Sequence, residues 1–525
     1  MFSAKSSVNQ LAALLVAYEV RHVVVCPGSR NAPLVNDFYE LSLRGDLCLW
    51  PVTDERSAAF VAIGLYLGTR RAAAVCVTSG TALLNTLPAV AEAYYRHAPL
   101  LIISADRPPC DINQLKGQTI PQQGALMPYT PTWQIPEAAG DVGERICREA
   151  LQALHGNGGQ PVHINVPLSE PLHIYNKEEL PFATIFHEPQ PMPVNSLPAE
   201  TLQMFAQAEL PAVFVGQMDF PPSQLLGELF AENKLLILSE AIGSTYTLAL
   251  NAYRAATFSP PTLLPDVVLH IGGTAIEKDY ASWLFRGDTR VVRIEPTAAE
   301  PDTFGQLYQV VHCLPENALK QLRALPSNAN VECINQTILS AKKTKSVSSP
   351  WTSLFSELLR RADATQRPVC WHVGNSTPLR LCQTINGHYF HCNRGVNGIE
   401  GSLSVAAGHS LVESGLVCCV VGDLSFFYDS NALWNSNLRG NLRVMVLNDG
   451  GGGIFQRLKG LNASTALPLV AAVHTTSAKG ICHSYKAEYI GTSVHDRKAL
   501  AEALEAFFAP SVSCERPLVV EVCLD

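Results

Sequence analysis

Charge is scarce in this chain. Asp, Glu, Lys and Arg make up 16% of its 525 residues, against roughly a quarter in an ordinary soluble domain, and the balance is acidic at a net charge of −8. Such a balance argues against a general nucleic-acid surface and leaves open a local cationic pocket. Long apolar runs are missing as well: the hydrophobic share is 47%, yet no uninterrupted stretch approaches the ~20 residues a membrane span needs. A soluble protein without membrane insertion is expected. The 15 cysteines, among them Cys26, Cys76, Cys110 and the adjacent Cys418 and Cys419, form no C-x-x-C and no paired Cys/His ligand spacing. Buried free thiols in a reducing compartment are the expectation. The opening "MFSAKSSVNQLAALLVAYEVRHVVV" runs straight from amphipathic helix into strand, with no basic segment, continuous apolar core and cleavage site in series. No export signal is expected, and the expected location is cytoplasmic.

What the chain does have is a rhythm of short apolar strands and helical patterns. Its length predicts roughly three to four domains. "RHVVVCPGS", "LCLWPV", "RAAAVCVTSG", "APLLIISAD" and "GQPVHINVP" are spaced as βα units around a parallel sheet. The proline-spaced "ATIFHEPQPMPVNSLP", about residues 183 to 198, reads as a linker. "PAVFVG", "KLLILS", "VVLHIGG" and "TRVVRIEP" then predict a second, smaller α/β domain. A further exposed connection, "SAKKTKSVSSP", spans residues 340 to 350. The third series is "PVCWHVGNS", "GHYFHCNRG", "GLVCCVVGD", "LRVMVLND" and "RPLVVEVCLD". The fold class is therefore α/β: three consecutive domains, each with a mainly parallel sheet flanked by helices, over residues 1–182, 198–330 and 350–525. No internal repeat of 20 to 50 residues is visible. The middle domain has "HIGGTAIEK" but no G-x-G-x-x-G between strand and helix, so a nucleotide-binding dehydrogenase has no specific support.

The chemistry concentrates in "GDLSFFYDSNALWNSNLRGNLRVMVLNDGGGGIF", residues 422 to 455. Two apolar strands end in Asp423 and Asp449, and the second runs into four glycines. Ligands of open parallel sheets bind outside the carboxyl ends of strands. Magnesium takes one or two protein carboxylates with phosphate oxygens and waters, and Gly450 to Gly453 would let backbone groups approach a diphosphate. A helix-capping Asp423 and a simple chain turn would account for the same residues.

A second acid alters that balance. "PVTDERSAAFVAIGLYLGT" places Glu55 where a strand ends and a small-residue helix begins; Asp54 beside it reads as a cap or a solvated group. With Gly422-Asp423 and Asn448-Asp449 each at a strand end, the chain resembles the thiamine-diphosphate enzymes, built from pyrimidine-binding, Rossmann-like central and diphosphate-binding domains. The resemblance covers essentially the whole chain. It narrows to the 2-succinyl-5-enolpyruvyl-6-hydroxy-3-cyclohexene-1-carboxylate synthase family of menaquinone (vitamin K2) biosynthesis on "PGSRNAPL", "TDERSAAFVAIGLY", "VTSGTALLNTLPAVAEA", "SADRPP", "GQTIPQ", "GNSTPLR" and "NRGVNGIEGSLSVAAG".

The resemblance implies a transferase that decarboxylates 2-oxoglutarate on thiamine diphosphate and adds the succinyl unit to isochorismate. It implies Glu55 as the group that activates the aminopyrimidine, and Mg²⁺ or Mn²⁺ held by Asp423, Asp449 and the Gly451 carbonyl. Position 449 departs here from the family's usual asparagine. Leu424, Ser425, Gly452, Ile454 and Phe455 would complete the cofactor site, with Ile454 as the apolar wedge. It also implies a homodimer or homotetramer with cofactor sites between subunits, Glu55 of one chain facing Asp423 of another. Two dicarboxylate substrates require several cations, and the matching motifs offer Arg30, Arg107, Lys278, Arg380 and Arg394. Ser29 and Ser376 would add hydroxyl donors, and Gln118 would stand near the reacting centre. An isolated arginine is more often a solvated charge, but Arg30, Arg107 and Arg394 each follow a predicted strand. His97, His163 and His391 read as structural. Rival readings are a thiamine-diphosphate decarboxylase or carboligase acting on pyruvate, oxalyl or benzoyl groups, which needs fewer cations, and a non-catalytic α/β protein that keeps the diphosphate site.

Overall fold

A computed structural model describes residues 1–183, 185, 196–255, 263–278, 280, 284–285, 287–297, 299–340, 349–510 and 515–524. Most of the two proposed linkers, residues 184, 186–195 and 341–348, lies outside the described residues. The chain forms two compact units, one of Met1–Glu188, Ser356–Pro378 and Gly395–Asp525, the other of Pro189–Phe355 and Leu379–Arg394.

The first unit holds two parallel sheets. One has six strands in the order Cys48–Pro51, His22–Val25, Ala73–Val77, Leu100–Asp106, Val162–Pro167, Thr132–Gln134. Its central strands are runs of Val, Ile, Leu and Ala buried on both faces, the pattern of a sheet covered by helices on each side. Each fully buried Val, Leu or Ile contributes about 1.5–3 kcal/mol. The winding direction reverses between His22–Val25 and Ala73–Val77, so a crevice opens at their carboxyl ends, where open sheets bind ligands. "PGSR" and "TSG" lie at those ends. Gly28 is required by the close approach, since a Cβ there would lie 2.6 Å from Asn31 Oδ1 and 2.7 Å from Thr78 Oγ1.

The other sheet of this unit has five strands in the order Val369–Val373, Leu416–Gly422, Leu442–Asn448, Leu518–Cys523, Glu488–Ser493, all parallel. The expected strands appear with one exception. "GHYFHCNRG" is not a strand, and His388–Asn393 belongs to the second unit. Its backbone is used by loops instead: Phe390 N donates to Ala241 O at 3.1 Å, and Cys392 O accepts from Gln217 Nε2 at 2.9 Å. Arg394 therefore follows a loop, not a strand. The strands Phe2–Ser3 and Tyr175–Lys177, an antiparallel pair, and Thr132–Gln134 and Glu488–Ser493 carry too little apolar pattern to be expected from sequence.

Helix Glu55–Thr69 packs on helix Ser402–Ser410. Asp54 caps the first, its Oδ1 accepting from Arg56 N at 2.9 Å and Ser57 N at 3.4 Å, and Arg70 closes it in the left-handed conformation at φ 58. Ser57 and Ser404 hydroxyls meet at 2.9 Å across the crossing. Asp54 Oδ2 accepts from Asn431 Nδ2 at 2.8 Å, and Arg56 donates to Tyr428 O at 2.8 Å. The Glu55 helix is thus tied to the sheet that carries Asp423.

The second unit has five parallel strands in the order Leu236–Ser239, Pro211–Val215, Val267–Ile271, Arg290–Ile294, Leu307–Val311, a Rossmann-like arrangement. Glu240, fully buried at a strand's carboxyl end, accepts from Ile276 N at 2.8 Å and Tyr280 Oη at 2.7 Å. Burial pushes its carboxyl up to about 7 against those bonds and the Arg394 charge. Among the described residues every cysteine is free, and no helix is long and apolar enough to cross a membrane.

Candidate active site

Asp423 begins helix Asp423–Tyr428 directly after its strand, and the pairing of Gly422 with Leu447 brings it level with Asn448 on the neighbouring strand. The carboxylate is 2% exposed. Oδ1 accepts from Leu424 N at 2.6 Å and Oδ2 from Gly451 N at 3.0 Å. Burial raises its pKa in spite of these bonds and the nearby His474, because desolvation disfavours the ionised form. His474 Nδ1 accepts from Thr476 N at 3.0 Å. Its proton therefore sits on Nε2, 3.3 Å from Asp423 Oδ2.

The glycine run shapes what surrounds this carboxylate. Gly450 (φ 75) and Gly451 (φ 149) occupy backbone conformations that side chains disfavour. A Cβ on Gly453 would overlap Asp449 Oδ2 and lie 2.9 Å from Asp449 Cγ, so glycine there makes room for the second carboxylate. Asn448 Oδ1 accepts from Gly450 N at 3.0 Å, and its Nδ2 donates to Glu521 Oε1 at 2.8 Å. Residues 471–474 brace the loop, with Gly452 N on Ala471 O at 2.7 Å and His474 N on Gly450 O at 3.0 Å. Ser425 is buried and donates to Ile399 O at 2.8 Å; Ile454 and Phe455 are half-buried.

At the crevice of the six-stranded sheet, Glu55 is half-buried at its helix N-terminus and its Oε2 accepts from Asn85 Nδ2 at 3.4 Å. Arg30 is buried; its guanidinium donates to Leu168 O at 2.8 Å and pairs with Glu170 at 3.1 Å. Burial, then the charge of Arg107, lowers its pKa. The two arginines are therefore close enough to repel, and the Nε of each is buried without a hydrogen-bond partner. Gln118 is exposed in the left-handed region at φ 56, and a Cβ on Gly80 would lie 3.4 Å from its carbonyl oxygen. Ser29 is exposed, and Ser376 is half-buried at φ 73.

In the second unit Lys278 and Arg380 are exposed, whereas Arg394 is buried and donates to Ala275 O at 3.1 Å. The three histidines expected to be structural each make local contacts. His163 is fully buried between Ser104 Oγ (2.7 Å) and Thr132 Oγ1 (3.1 Å), and burial holds it neutral with a pKa of about 3. His97 closes a helix in the left-handed conformation, and His391 meets Tyr389 Oη at 3.3 Å. Sequence reading missed His474, Asn85 and Gln122, the last of which bridges Gly80 N, Ser104 Oγ and Asn165 Oδ1 from a buried position. Gln122 closes the "GQTIPQ" segment and Asn85 lies within "VTSGTALLNTLPAVAEA", so both stand in matching motifs without a spacing that singles them out; nothing in the sequence marks His474.

Two family models match these two sheets: the thiamine pyrophosphate enzyme N-terminal TPP binding domain over residues 6–126 and the C-terminal TPP binding domain over residues 372–522. The chain is 37% identical to the 2-succinyl-5-enolpyruvyl-6-hydroxy-3-cyclohexene-1-carboxylate synthase of Bacteroides fragilis, over 99% of this chain and 96% of that protein. It is 36% identical to the synthase of Bacteroides thetaiotaomicron, with the same coverage. The chain belongs to this synthase family. A third member, from Desulfotalea psychrophila, is 34% identical over 99% of both chains.

The residues present fit the group that this synthase family implies. A carboxylate buried to 2% with a raised pKa gains from a cation beside it. The second carboxylate, Asp449, is admitted by a cradle at Gly453 that a Cβ would fill. Both stand at strand ends backed by glycine, where a diphosphate can be approached by backbone.

Proposed function

We propose that this chain catalyses the thiamine-diphosphate-dependent decarboxylation of 2-oxoglutarate and transfer of the resulting succinyl unit to isochorismate, the synthase step of menaquinone biosynthesis. The observation that carries the reading is the full-length family match, joined to a buried Asp423 level with the glycine run.

Bound thiamine diphosphate supplies a carbon nucleophile and an electron sink for decarboxylation. Asp423, Asp449 and the Gly451 carbonyl would hold a divalent cation, Mg²⁺ or Mn²⁺, which would neutralise diphosphate charge. Leu424, Ser425, Gly452, Ile454 and Phe455 line the same site, with Ile454 as the apolar support. Glu55 would accept a hydrogen bond from the aminopyrimidine ring when the cofactor is bound. Its half-buried carboxylate, held by Asn85, strengthens that bond, since charge-assisted hydrogen bonds contribute about 1.5–3 kcal/mol.

Arg30 and Arg107 bind substrate carboxylates, assisted by Ser29. What supports this role is the mutual repulsion of two cations at a sheet crevice and their two unpartnered Nε atoms. An anion relieves both costs. Lys278, Ser376, Arg380 and Arg394 contribute the remaining polar contacts, and Gln118 orients the reacting groups. The domains are 1–182 (pyrimidine-binding), 198–330 (central) and 350–525 (diphosphate-binding). The working form is a cytoplasmic homodimer or homotetramer with cofactor sites between subunits.

The test supplies purified protein with thiamine diphosphate, Mg²⁺, 2-oxoglutarate and isochorismate, omitting each in turn, and follows CO₂, isochorismate loss and the mass of the adduct. Every component should be required. Release of CO₂ without isochorismate loss would keep the cofactor and overturn the acceptor.

A further inference from the structure

Away from the cofactor residues, three soft or borderline donors converge inside the first unit. Cys370 and His372 are two residues apart on strand Val369–Val373 and so project from one face of the sheet. His409, on the helix Ser402–Ser410, meets them there. His372 Nε2 lies 3.0 Å and Cys370 Sγ 3.5 Å from His409 Nδ1, and the donor atoms of the group all fall within 4.8 Å of one another.

Those separations match tetrahedral coordination. With zinc bonds of about 2.0–2.1 Å to nitrogen and about 2.3 Å to sulfur, tetrahedral angles place two nitrogens about 3.3 Å apart and nitrogen and sulfur about 3.6 Å apart. The outer partner is present too: His409 Nε2 faces the Glu413 carboxylate at 3.9 Å. A histidine ligand commonly donates its second N–H to a carboxylate, and Glu413 is the carboxylate near enough to take that part after a small side-chain rotation.

We propose that Cys370, His372 and His409 form a structural site for a borderline transition-metal ion, Zn²⁺ being the best fit, with a fourth position left to water or another donor. Binding converts the Cys370 thiol to a metal thiolate and releases its proton to solvent. The site joins the sheet that carries Asp423 to the helix of His409. That ring also packs on the Glu55 helix, where a Cβ on Gly68 would lie 3.0 Å from His409 Cδ2. The bound ion therefore fixes the packing of the two elements on which Glu55 and Asp423 depend.

The test uses the full chain with its oxygen-donor site saturated by Mg²⁺ and thiamine diphosphate. Zinc content is measured after dialysis, and the zinc-depleted protein is titrated with Co²⁺. The expected results are one retained zinc per chain and a thiolate-to-cobalt charge-transfer band, which carboxylates cannot give. Both should be lost in Cys370→Ser, and a zinc-selective chelator, with Mg²⁺ kept in excess, should lower the melting temperature of the wild type only. Wild-type protein with neither retained zinc nor the band overturns the site, as does a band unchanged in Cys370→Ser. Should Cys370→Ser fail to fold, His372→Gln takes its place and should alter the band, whereas absence of the band in the wild type overturns the site without any variant.

Discussion

Gly64 and Gly408 face each other where the Glu55 helix crosses the helix Ser402–Ser410, with no space between them for a side chain. A Cβ on Gly64 would lie 2.6 Å from His409 N and 2.8 Å from Gly408 Cα, and one on Gly408 would lie 2.8 Å from Val61 C. Both obstacles are backbone and cannot rotate away. Gly408→Val is therefore expected to lower stability by about 3 kcal/mol, the upper end of overpacking costs. Urea unfolding would register this as a lower midpoint, and a midpoint within error of wild type would contradict the crossing.

Glu55→Gln keeps the shape and the contact with Asn85 but removes the proton-accepting carboxylate. The loss of turnover should be roughly 10²–10⁴-fold, with circular dichroism and the melting temperature unchanged. Single-turnover kinetics would separate this from a binding defect.

Asp423 and Asp449 should respond differently to substitution. Asp423→Ala removes the buried carboxylate, and metal-dependent cofactor binding should disappear in calorimetric titrations. Asp449→Asn removes one charge beside the diphosphate. The half-saturating Mg²⁺ concentration should rise and that of thiamine diphosphate should fall, each by a few-fold, with catalysis retained.

Arg107→Ala leaves Arg30 its own partners, Leu168 O and Glu170, and so isolates the substrate contact. The expected loss in kcat/KM is about 10- to 150-fold, corresponding to one charge-assisted bond. Most of it should appear as a higher KM for a dicarboxylate substrate.

Glu240 predicts a pH dependence. Its folded pKa, about 7, stands above the ordinary 4.5 because burial opposes ionisation. Between these values the folded state holds more protons than the unfolded state, so stability falls as pH rises from about 4.5 to 7. The loss is about 1.4 kcal/mol per unit of separation. Glu240→Gln should flatten that part of the profile in urea unfolding measured from pH 4.5 to 8, and an unchanged slope would remove Glu240 as its source.

The sequence by itself determined the buried central strands of the three parallel sheets and the placement of Asp423, Asp449 and Glu55 at element ends. Those features are local: buried parallel strands must be apolar runs, helices must start beyond their ends, and turns of positive φ select glycine. Only the tertiary structure decided that His474 reaches Asp423, that Asn85 and Gln122 brace the crevice, and that Arg30 and Arg107 repel each other. These contacts join residues far apart in the chain through single polar atoms, which leave no periodicity to read. The same reason explains "GHYFHCNRG". Its alternating aromatics satisfy the strand pattern, but its backbone N–H and C=O groups find loop partners at Ala241 and Gln217, and hydrogen-bond partners, not side-chain alternation, decide whether a segment becomes a strand.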